Sequence, residues 1–196
     1  MIVIVDYGAG NLVSVKKAFD WLGQDCAITT DPAQVAAATK VVLPGVGHFT
    51  ATESLERTGL KQAIADSIGR RIPFLGICVG MQWMFAGSEE SPCTRGLSLF
   101  VGECERFVAS VKSPHVGWNQ LEVSSPSRLL RGVPAGSFVY FTHSFRAPVI
   151  DATVACCEYG GQFSAVVERD HLFGVQFHPE KSGEIGLQML RNFCEL

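Results

Sequence analysis

The first half of the chain alternates short apolar runs with longer segments of helical periodicity. The apolar runs show no polar alternation, which indicates strands that are covered on both faces. Strands of this kind, separated by helices, predict a parallel sheet between two layers of helices. Asn11 and Asp31 are placed as N-caps of the first two helices. The predicted strands lie at 2–5, 26–29 and 73–78 and at the start of 40–47, and the predicted helices at 11–23, 31–38, 51–70 and 79–87.

The second half changes character from about position 107 onward. Short β-rich runs are separated by turn signals such as SSPS, GVPAG and YGG, which predicts antiparallel additions to the same sheet. An amphipathic helix at 182–196, with Ser182 as its N-cap, closes the chain. The predicted fold is therefore a three-layer α/β domain over residues 1–196, with helices on both faces of a mostly parallel sheet. The β-rich runs lie at 119–123, 137–145, 153–159, 162–168 and 171–177.

Composition and charge narrow the classes of function. With 47% hydrophobic and 18% charged residues among 196, the chain can bury a sizeable core, which argues against disorder. The net charge is −3 and Lys and Arg are scattered, so neither nucleic acid nor a membrane surface is an expected partner. The four apolar residues after Met1 have no positive segment before them and are too few for a signal peptide or a membrane span.

The cysteines indicate a reducing compartment. There are seven, an odd number without a C-x-x-C pair, so neither a disulfide framework nor a zinc site is expected. The cytoplasm is the expected location, and most of the thiols are expected to serve as small apolar side chains.

Cys78 is the exception, because it lies between Gly76 and Gly80 where a buried strand is predicted to end and a helix to begin. This is the spacing of the G-x-S-x-G nucleophile elbow, with sulfur in place of oxygen. So sharp a turn brings the positions two before and two after the apex together, where a Cβ would clash. The N–H groups that open the following helix favour a thiolate. A buried cysteine in a glycine-rich turn is the alternative, and a nearby base would decide between the two.

His178 is the best candidate for that base among five histidines. It ends an apolar run, Pro179 prevents further strand pairing, and Glu180 follows. We expect His178 to activate Cys78, with Glu180 accepting a hydrogen bond from the other ring nitrogen. The His–x–Glu pair would also suit two metal ligands, although no third ligand has convincing spacing.

An oxyanion site is expected where the parallel strands end, because ligands of such sheets bind outside the carboxyl ends of the strands. Segments 6–11, 44–48 and 78–82 fall there. The backbone N–H of Val79 is the natural first donor to an oxyanion. A second donor is expected from the glycine-rich turn formed by Gly45, Val46 and Gly47.

With Cys78, His178 and Glu180 in this order, the chain resembles the class I (triad) glutamine amidotransferases over essentially its whole length. Within that family it is most similar to the glutaminase subunits of imidazole glycerol phosphate synthases, which act in histidine biosynthesis. The matching segments are DYGAGN (6–11), LPGVGHF (43–49), LGICVGMQ (75–82), HVGWN (115–119), YFTHSF (140–145) and GVQFHPEKSG (174–183).

The resemblance implies that the chain hydrolyses glutamine to glutamate and ammonia through a thioester on the cysteine, without a metal or an organic cofactor. It also implies that Gln82 helps to bind the α-amino and carboxylate groups of glutamine. The backbone around Gly47, together with His143 and Ser144, is expected to complete that site.

The resemblance further implies a heterodimer with a (β/α)₈-barrel cyclase subunit, to which the ammonia passes. Trp118 and Asn119 in the HVGWN segment, with Lys181, are then expected at the partner face; a core position for Trp118 is the alternative. Three other functions stay open on sequence grounds. They are a glutaminase of another pathway, such as pyridoxal phosphate synthesis, a free-standing cysteine hydrolase such as a peptidase or γ-glutamyl hydrolase, and a non-catalytic regulatory subunit.

Overall fold

The computed structural model describes residues 1–196, and its largest feature is an eight-stranded mixed sheet. The strands of the chain are β1 (Ile2–Val5), β2 (Cys26–Thr29), β3 (Lys40–Gly45), β4 (Phe74–Cys78), β5 (Glu105–Arg106), β6 (His115–Gln120), β7 (Glu122–Val123), β8 (Phe138–His143), β9 (Phe145–Arg146), β10 (Thr153–Glu158), β11 (Gln162–Arg169) and β12 (Leu172–Val175). The helices are α1 (Leu12–Trp21), α2 (Pro32–Ala36), α3 (Glu53–Arg57), α4 (Leu60–Gly69), α5 (Val79–Gln82) and α6 (Gly183–Cys194), with 3₁₀ turns at Phe49–Thr52 and Pro179–Lys181.

The strand order across the main sheet is β2–β1–β3–β4–β12–β11–β10–β7. The first five strands run parallel, and β11, β10 and β7 extend the sheet with antiparallel pairing. The parallel part has the doubly wound order of flavodoxin-like sheets. The predicted α/β class, with a mostly parallel sheet and antiparallel additions, is confirmed.

Helices pack on both faces of this sheet. α1 lies beside α6, and α2 lies beside α4. The buried apolar side chains form one cluster that extends from Ile2 in β1 to Phe193 in α6. None of the helices has the length and the apolar character that a membrane span requires.

Two predicted helices differ from the observed ones. The helix expected at 51–70 is divided, because Gly59 has a φ of +77° and interrupts the helical backbone between α3 and α4. The helix expected at 79–87 ends at Gln82. Beyond it, the carbonyls of Trp83 and Phe85 accept hydrogen bonds from the loop at 97–98, so a longer α-helix cannot form.

The second half departs from prediction in three places. The run at 137–145 lies outside the main sheet, since β8 pairs with β6 and β9 pairs with β5 in two separate sheets. For the same reason the run at 119–123 is divided, because 119–120 belong to β6 and only β7 joins the main sheet. Burial alternates along β8, as in a strand with one face outward. The run at 171–177 contains β12, which pairs antiparallel with β11, as predicted, but also pairs parallel with β4 on its other side. All four residues of β12 are buried, which suits its place in the middle of the sheet.

The N-caps also differ in what their side chains do. Asp31 accepts the backbone N–H of Ala33 at 2.9 Å, as expected of an N-cap. Asn11 and Ser182 occupy N-cap positions without a capping hydrogen bond. The hydroxyl of Ser182 instead accepts from the backbone N–H of Tyr140 at 3.0 Å and donates to the carbonyl of His178 at 2.6 Å. Ser182 therefore ties β8 to the segment that follows β12.

Candidate active site

The chain turns sharply from strand to helix at Cys78, which ends β4 immediately before α5. Its φ is +54°, a conformation that residues with a Cβ rarely adopt. A Cβ on Gly76 would lie 2.6 Å from the carbonyl oxygen of Gly80, and a Cβ on Gly80 would overlap the carbonyl of Leu43 in β3. Gly76 is thus required because positions 76 and 80 approach each other, as the spacing predicted. Gly80 is required because the backbone of β3 passes close to it.

The glycine-rich turn after β3 lies next to the cysteine, because Gly45 and Cys78 are paired residues of β3 and β4. A Cβ on Gly45 would lie 2.5 Å from the hydroxyl of Tyr7 and 2.7 Å from the Cβ of Val79. Position 45 therefore has no room for a side chain. The Tyr7 hydroxyl is buried here without a hydrogen-bond partner in the chain.

His178 and Glu180 form a buried pair just beyond β12. Since β12 is the parallel neighbour of β4, the chain that leaves it emerges beside Cys78. Nδ1 of His178 is 2.9 Å from Oε1 of Glu180. A carboxylate can only accept, so Nδ1 carries a proton, and Nε2 has no hydrogen-bond partner in the chain. This nitrogen is free to exchange a proton with a reacting group.

The surroundings of His178 favour its protonated form. Burial by itself lowers the pKa of His178, but the interaction with Cys78, the hydrogen bond to Glu180 and the negative charges of both groups together outweigh burial and raise the pKa to about 10. While the sulfur is charged, the imidazole at neutral pH is therefore an imidazolium. A positive ring beside the sulfur stabilises a thiolate and is a proton donor in place.

A cavity of about 200 Å³ opens beside Cys78. Its volume suits a ligand smaller than a typical drug, such as a single amino acid. The predicted oxyanion donors Gly45 and Val46 are outside its lining. The predicted residues in the lining are Gly47, Cys78, Val79, Gln82, His143 and Ser144, and the residues that were not predicted are Glu90, Pro114, Thr142 and Phe145.

Two polar residues next to the reaction centre, Glu90 and Gln176, were not predicted from the sequence. Glu90 lies in the loop after α5, and its carboxylate accepts the backbone N–H of Phe49 at 2.8 Å; only the fold brings this loop to the cavity. Gln176 is fully buried, and its Nε2 lies 3.6 Å from Sγ of Cys78. Its spacing of two from His178 in an extended segment, which places both on the same side, was a signal that could have found it.

The carbonyl oxygen of Phe145 joins two sets of side chains beneath the cavity. It accepts from Nε2 of Gln82 at 2.9 Å and from Nδ1 of His143 at 2.8 Å. Nδ1 of His115 then donates to Nε2 of His143 at 3.1 Å, and the amide of Asn119 donates to Nε2 of His115 at 3.3 Å. The series Phe145 carbonyl, His143, His115, Asn119 is called here the histidine row. Its directions follow from the carbonyl, which can only accept.

Both rings of the histidine row are neutral. Burial lowers the pKa of His143 to about 3 and the pKa of His115 to about 4. Each ring can therefore donate from Nδ1 and accept at Nε2, which is what the row requires.

The two-stranded sheet of β6 and β8 presents an apolar surface to solvent. Trp118 is 54% exposed, which excludes the core alternative for this residue. Nζ of Lys181 lies 5.8 Å from the ring centroid of Tyr140 on the same surface. We call this surface the outer face, and it is formed by Val116, Trp118, Phe138, Tyr140 and Thr142.

Asn119 does not share the outer face, because side chains alternate along β6. Its amide donates to His115 and to the carbonyl of Glu158 at 3.1 Å, and its Oδ1 accepts from the backbone N–H of Gln120. The polar atoms of the half-buried Asn119 side chain are thus used within the chain, and its expected contact with a partner stays a prediction.

The metal alternative finds no support in the structure. No group of three or more His, Cys, Asp or Glu side chains is placed to hold a metal ion. His178 and Glu180 instead form a hydrogen bond with each other.

Comparison with known proteins gives full-length matches of one kind. Residues 3–196 match the family model described as glutamine amidotransferase class-I. The chain is 47% identical over 201 residues to the imidazole glycerol phosphate synthase subunit HisH of Moorella thermoacetica, covering 100% of this chain and 94% of that protein. It is 46% identical over 198 residues to the protein of the same name from Methanothermobacter thermautotrophicus, covering 100% and 98%.

Solved structures share the fold at lower identity. A crystal structure of a glutamine amidotransferase superimposes with a TM-score of 0.79 at 17% identity, covering 100% of this chain and 98% of that chain. The glutaminase domain of Trypanosoma brucei CTPS with bound acivicin superimposes with a TM-score of 0.67 at 14% identity, covering 99% and 93%. Both are similar to this chain over nearly the whole sheet and its helices.

Proposed function

This chain belongs to the class I glutamine amidotransferases, and on that premise we propose that it is the glutaminase subunit of an imidazole glycerol phosphate synthase in histidine biosynthesis. It hydrolyses glutamine to glutamate and ammonia. The observation that carries the proposal is the position of Cys78 at a strand-to-helix turn beside the buried His178–Glu180 pair. The full-length similarity to relatives named HisH supports the pathway.

The proposed reaction begins with attack of the Cys78 thiolate on the side-chain amide of glutamine. Protonated His178 gives its proton to the departing nitrogen, so that ammonia leaves and a thioester remains. Neutral His178 then takes a proton from water as the water attacks the thioester, which releases glutamate and restores the thiolate–imidazolium pair. Glu180 holds the ring through Nδ1 in both halves of the reaction.

The negative charge that develops on the amide oxygen needs hydrogen-bond donors in place. We assign the N–H of Val79 at the start of α5 and an N–H of the turn at Gly45, Val46 and Gly47 to this role. The adjacency of Gly45 to Cys78 and the presence of Gly47 and Val79 in the cavity lining support the assignment. Removal of one such donor typically lowers the rate by about 10²–10³-fold.

Recognition of the α-amino and carboxylate groups of glutamine is assigned to the far side of the cavity. Both amide hydrogens of Gln82 are used within the chain, so its Oε1 is the atom left to accept from the substrate ammonium. The Glu90 carboxylate adds a negative charge beside that ammonium. Ser144 and backbone near Gly47 supply donors for the carboxylate. Both ring nitrogens of His143 form hydrogen bonds within the chain, so this residue contributes to the shape of the cavity without bonding glutamine through its ring.

The partner is proposed to be a (β/α)₈-barrel cyclase subunit that forms a heterodimer through the outer face. Trp118 and Lys181 are the proposed contacts, and aromatic anchors of this kind are favoured at interface centres. Thr142 belongs to both the outer face and the cavity lining, so a subunit seated on this face would cover the mouth of the cavity. Ammonia released at Cys78 would then pass into the partner.

The remaining expectations are part of the same proposal. Residues 1–196 act as one glutamine amidotransferase domain, which the shared hydrophobic cluster supports. The protein works in the cytoplasm, where its seven free cysteines stay reduced. The hydrolysis as written uses side chains and water, without a cofactor.

The decisive experiment measures glutamate release from glutamine by this chain, alone and with the barrel cyclase and its nucleotide ligand. We expect strong stimulation by the partner and a loss of at least about 10³-fold in Cys78→Ala. Cys93→Ala, which removes an exposed thiol outside the cavity, is the matched control and should keep full activity. Fast turnover without the partner would indicate a free-standing hydrolase. Silence of a folded, cyclase-bound chain would refute the enzymatic proposal.

A further inference from the structure

Gln176 is a fully buried polar residue whose amide is directed at the reaction centre. It follows β12 and lies two residues before His178. Nε2 of Gln176 is 3.6 Å from Sγ of Cys78, and its Oε1 accepts from Nε2 of Gln82 at 3.1 Å. No other side-chain amide contacts the sulfur.

The orientation of the Gln176 amide is fixed by its neighbours. The carbonyl of Phe145 accepts from Gln82, so the NH₂ group of Gln82 lies on that side and also reaches Gln176. Gln176 must then present its oxygen to Gln82, which leaves its own NH₂ group toward Sγ. The backbone carbonyl of Phe145 therefore determines, through Gln82, that the NH₂ group of Gln176 faces the sulfur.

We propose that Gln176 is a positioning residue that holds the sulfur of Cys78 in place and stabilises its ionised form through this N–H···S hydrogen bond. The inference rests on the proposed function, since it concerns the nucleophile of that reaction. An N–H donated to a neutral thiol is weak, whereas a hydrogen bond to a charged acceptor is about twice as strong as a neutral one. The bond therefore contributes most when Cys78 is a thiolate.

Gln176 differs from the other groups around the sulfur in that it cannot titrate. The charge of Cys78 acts on three titratable groups, Tyr7, Cys104 and His178, and Glu90 lines the same cavity. Burial raises the pKa of the Tyr7 hydroxyl and of the Cys104 thiol, so both stay neutral. His178 loses its proton to the departing ammonia during the reaction. At that stage the amide of Gln176 is still a donor, and it still holds the sulfur of the thioester.

The test uses the full chain with Gln176→Met, which keeps the length and nearly the volume of the side chain but removes the donor. The first readout is the rate of Cys78 alkylation by iodoacetamide as a function of pH, followed for each cysteine by peptide mass spectrometry. We expect the rate of Cys78 alkylation at neutral pH to fall about tenfold, because the sulfur loses the donor that stabilises its ionised form. Cys93, exposed in the same molecule, is the internal control and should not change.

The second readout is glutaminase activity with the cyclase bound. We expect kcat to fall about tenfold with KM unchanged within about twofold, because Gln82 keeps its hydrogen bond to the carbonyl of Phe145 and still presents Oε1 to the substrate. Gln176→Leu also removes the donor without adding a charge, so it should reproduce both effects, and it serves if Gln176→Met fails to fold. Gln162→Leu, at an exposed glutamine, should match the wild type.

Wild-type alkylation profiles in both Gln176 variants would overturn this inference, as would a change confined to KM. The alkylation readout needs no glutamine turnover. A wild-type chain without glutaminase activity would therefore refute the proposed function alone and would leave the test of Gln176 in force.

Discussion

Cys78 carries a Cβ in a backbone conformation that favours glycine, with φ of +54° and ψ of −108°. A residue held in such a region costs on the order of 1–3 kcal/mol and persists because the surrounding structure determines it. Here the two neighbouring strands, β3 and β12, fix the end of β4 on both sides. The sulfur is thus exposed to the cavity at the expense of local stability.

Two substitutions at this residue separate strain from chemistry. Cys78→Ala and Cys78→Gly both remove the thiol, but only glycine removes the Cβ. We expect the glycine variant to have the larger free energy of unfolding, by about 1 kcal/mol, because relief of strain exceeds the entropy that glycine adds to the unfolded chain. Urea denaturation of the two variants measures the difference. If the alanine variant were the more stable of the two, the backbone at position 78 would not be strained by a Cβ.

Glu180 is expected to govern the alkaline limb of the activity profile. His178 must be protonated to release ammonia, and Glu180 is one of the two groups that raise its pKa to about 10. Glu180→Gln removes that charge, so the pKa of His178 falls and activity is lost at a lower pH than in the wild type. The measurement is kcat/KM against pH between about 6 and 10, with the cyclase bound. An alkaline limb that does not move would exclude this role of Glu180.

At the scale of elements, two helical glycines predict opposite outcomes for one substitution. A Cβ on Gly69, at the end of α4, meets no atom within 4 Å, so Gly69→Ala should stabilise the protein by up to about 1 kcal/mol. A Cβ on Gly186 in α6 would overlap the carbonyl of Pro179, next to His178. Gly186→Ala should cost about 1–3 kcal/mol and lower activity, because α6 must shift. Thermal unfolding of the pair checks this, and equal effects would disprove the contact.

The histidine row makes stability depend on pH in the acid range. His143 and His115 are neutral in the folded protein, with pKa values of about 3 and about 4, whereas the unfolded chain titrates them near 6.5. The unfolded state therefore binds more protons as pH falls below about 6.5, and the free energy of unfolding decreases toward pH 4. Above pH 6.5 this contribution is fully present.

His115→Phe tests the source of that slope. Phenylalanine can keep the stacking on Tyr159, but it cannot take up a proton when the chain unfolds. We expect a lower free energy of unfolding at pH 7.5, because Nε2 of His143 loses its donor. Between pH 6.5 and 4 we expect that free energy to fall less steeply than in the wild type, because the variant takes up about one proton fewer when it unfolds. Urea denaturation at several pH values gives both quantities. If the free energy of unfolding of the variant depended on pH as in the wild type, residues other than His115 would take up the proton.

Elements of the parallel sheet were predictable because their signals are local. The buried strands, the elbow at Cys78 and the cap at Asp31 each depend on residues close in sequence. The place of β8 was not predictable, since pairing with β6 depends on which distant strand is available. The break at Gly59 could have been inferred from the glycine, but the short α5 depends on hydrogen bonds from the loop at 97–98.

For the molecule as a whole, the exposed tryptophans distinguish a partner face from ordinary surface. Trp118 lies on the outer face, whereas Trp21 lies on α1 and is 77% exposed. We expect Trp118→Ala to weaken cyclase binding by about 2 kcal/mol or more and Trp21→Ala to leave it unchanged. Calorimetric titration of each variant with the cyclase measures this. Equal affinities would move the interface away from β6 and β8.

The candidate site was predicted where one motif supplied the residue and missed where the fold did. Cys78, His178 and Glu180 could be identified from their spacing in the sequence. The alternation of side chains along β6 could have shown that Trp118 and Asn119 lie on opposite faces. Glu90 reaches the cavity from a loop without a motif. Its position is a property of the assembled molecule and cannot be found in any local stretch of the sequence.

The carbonyl oxygen of Phe145 belongs to the main chain, so no substitution can remove it or turn it into a donor. Every bond of the histidine row points toward it, and the bonds of Gln82 and Gln176 lead from it to the sulfur. No link can reverse, because the carbonyl cannot donate. The donor and acceptor roles throughout the network are therefore fixed by a main-chain group that substitution leaves in place.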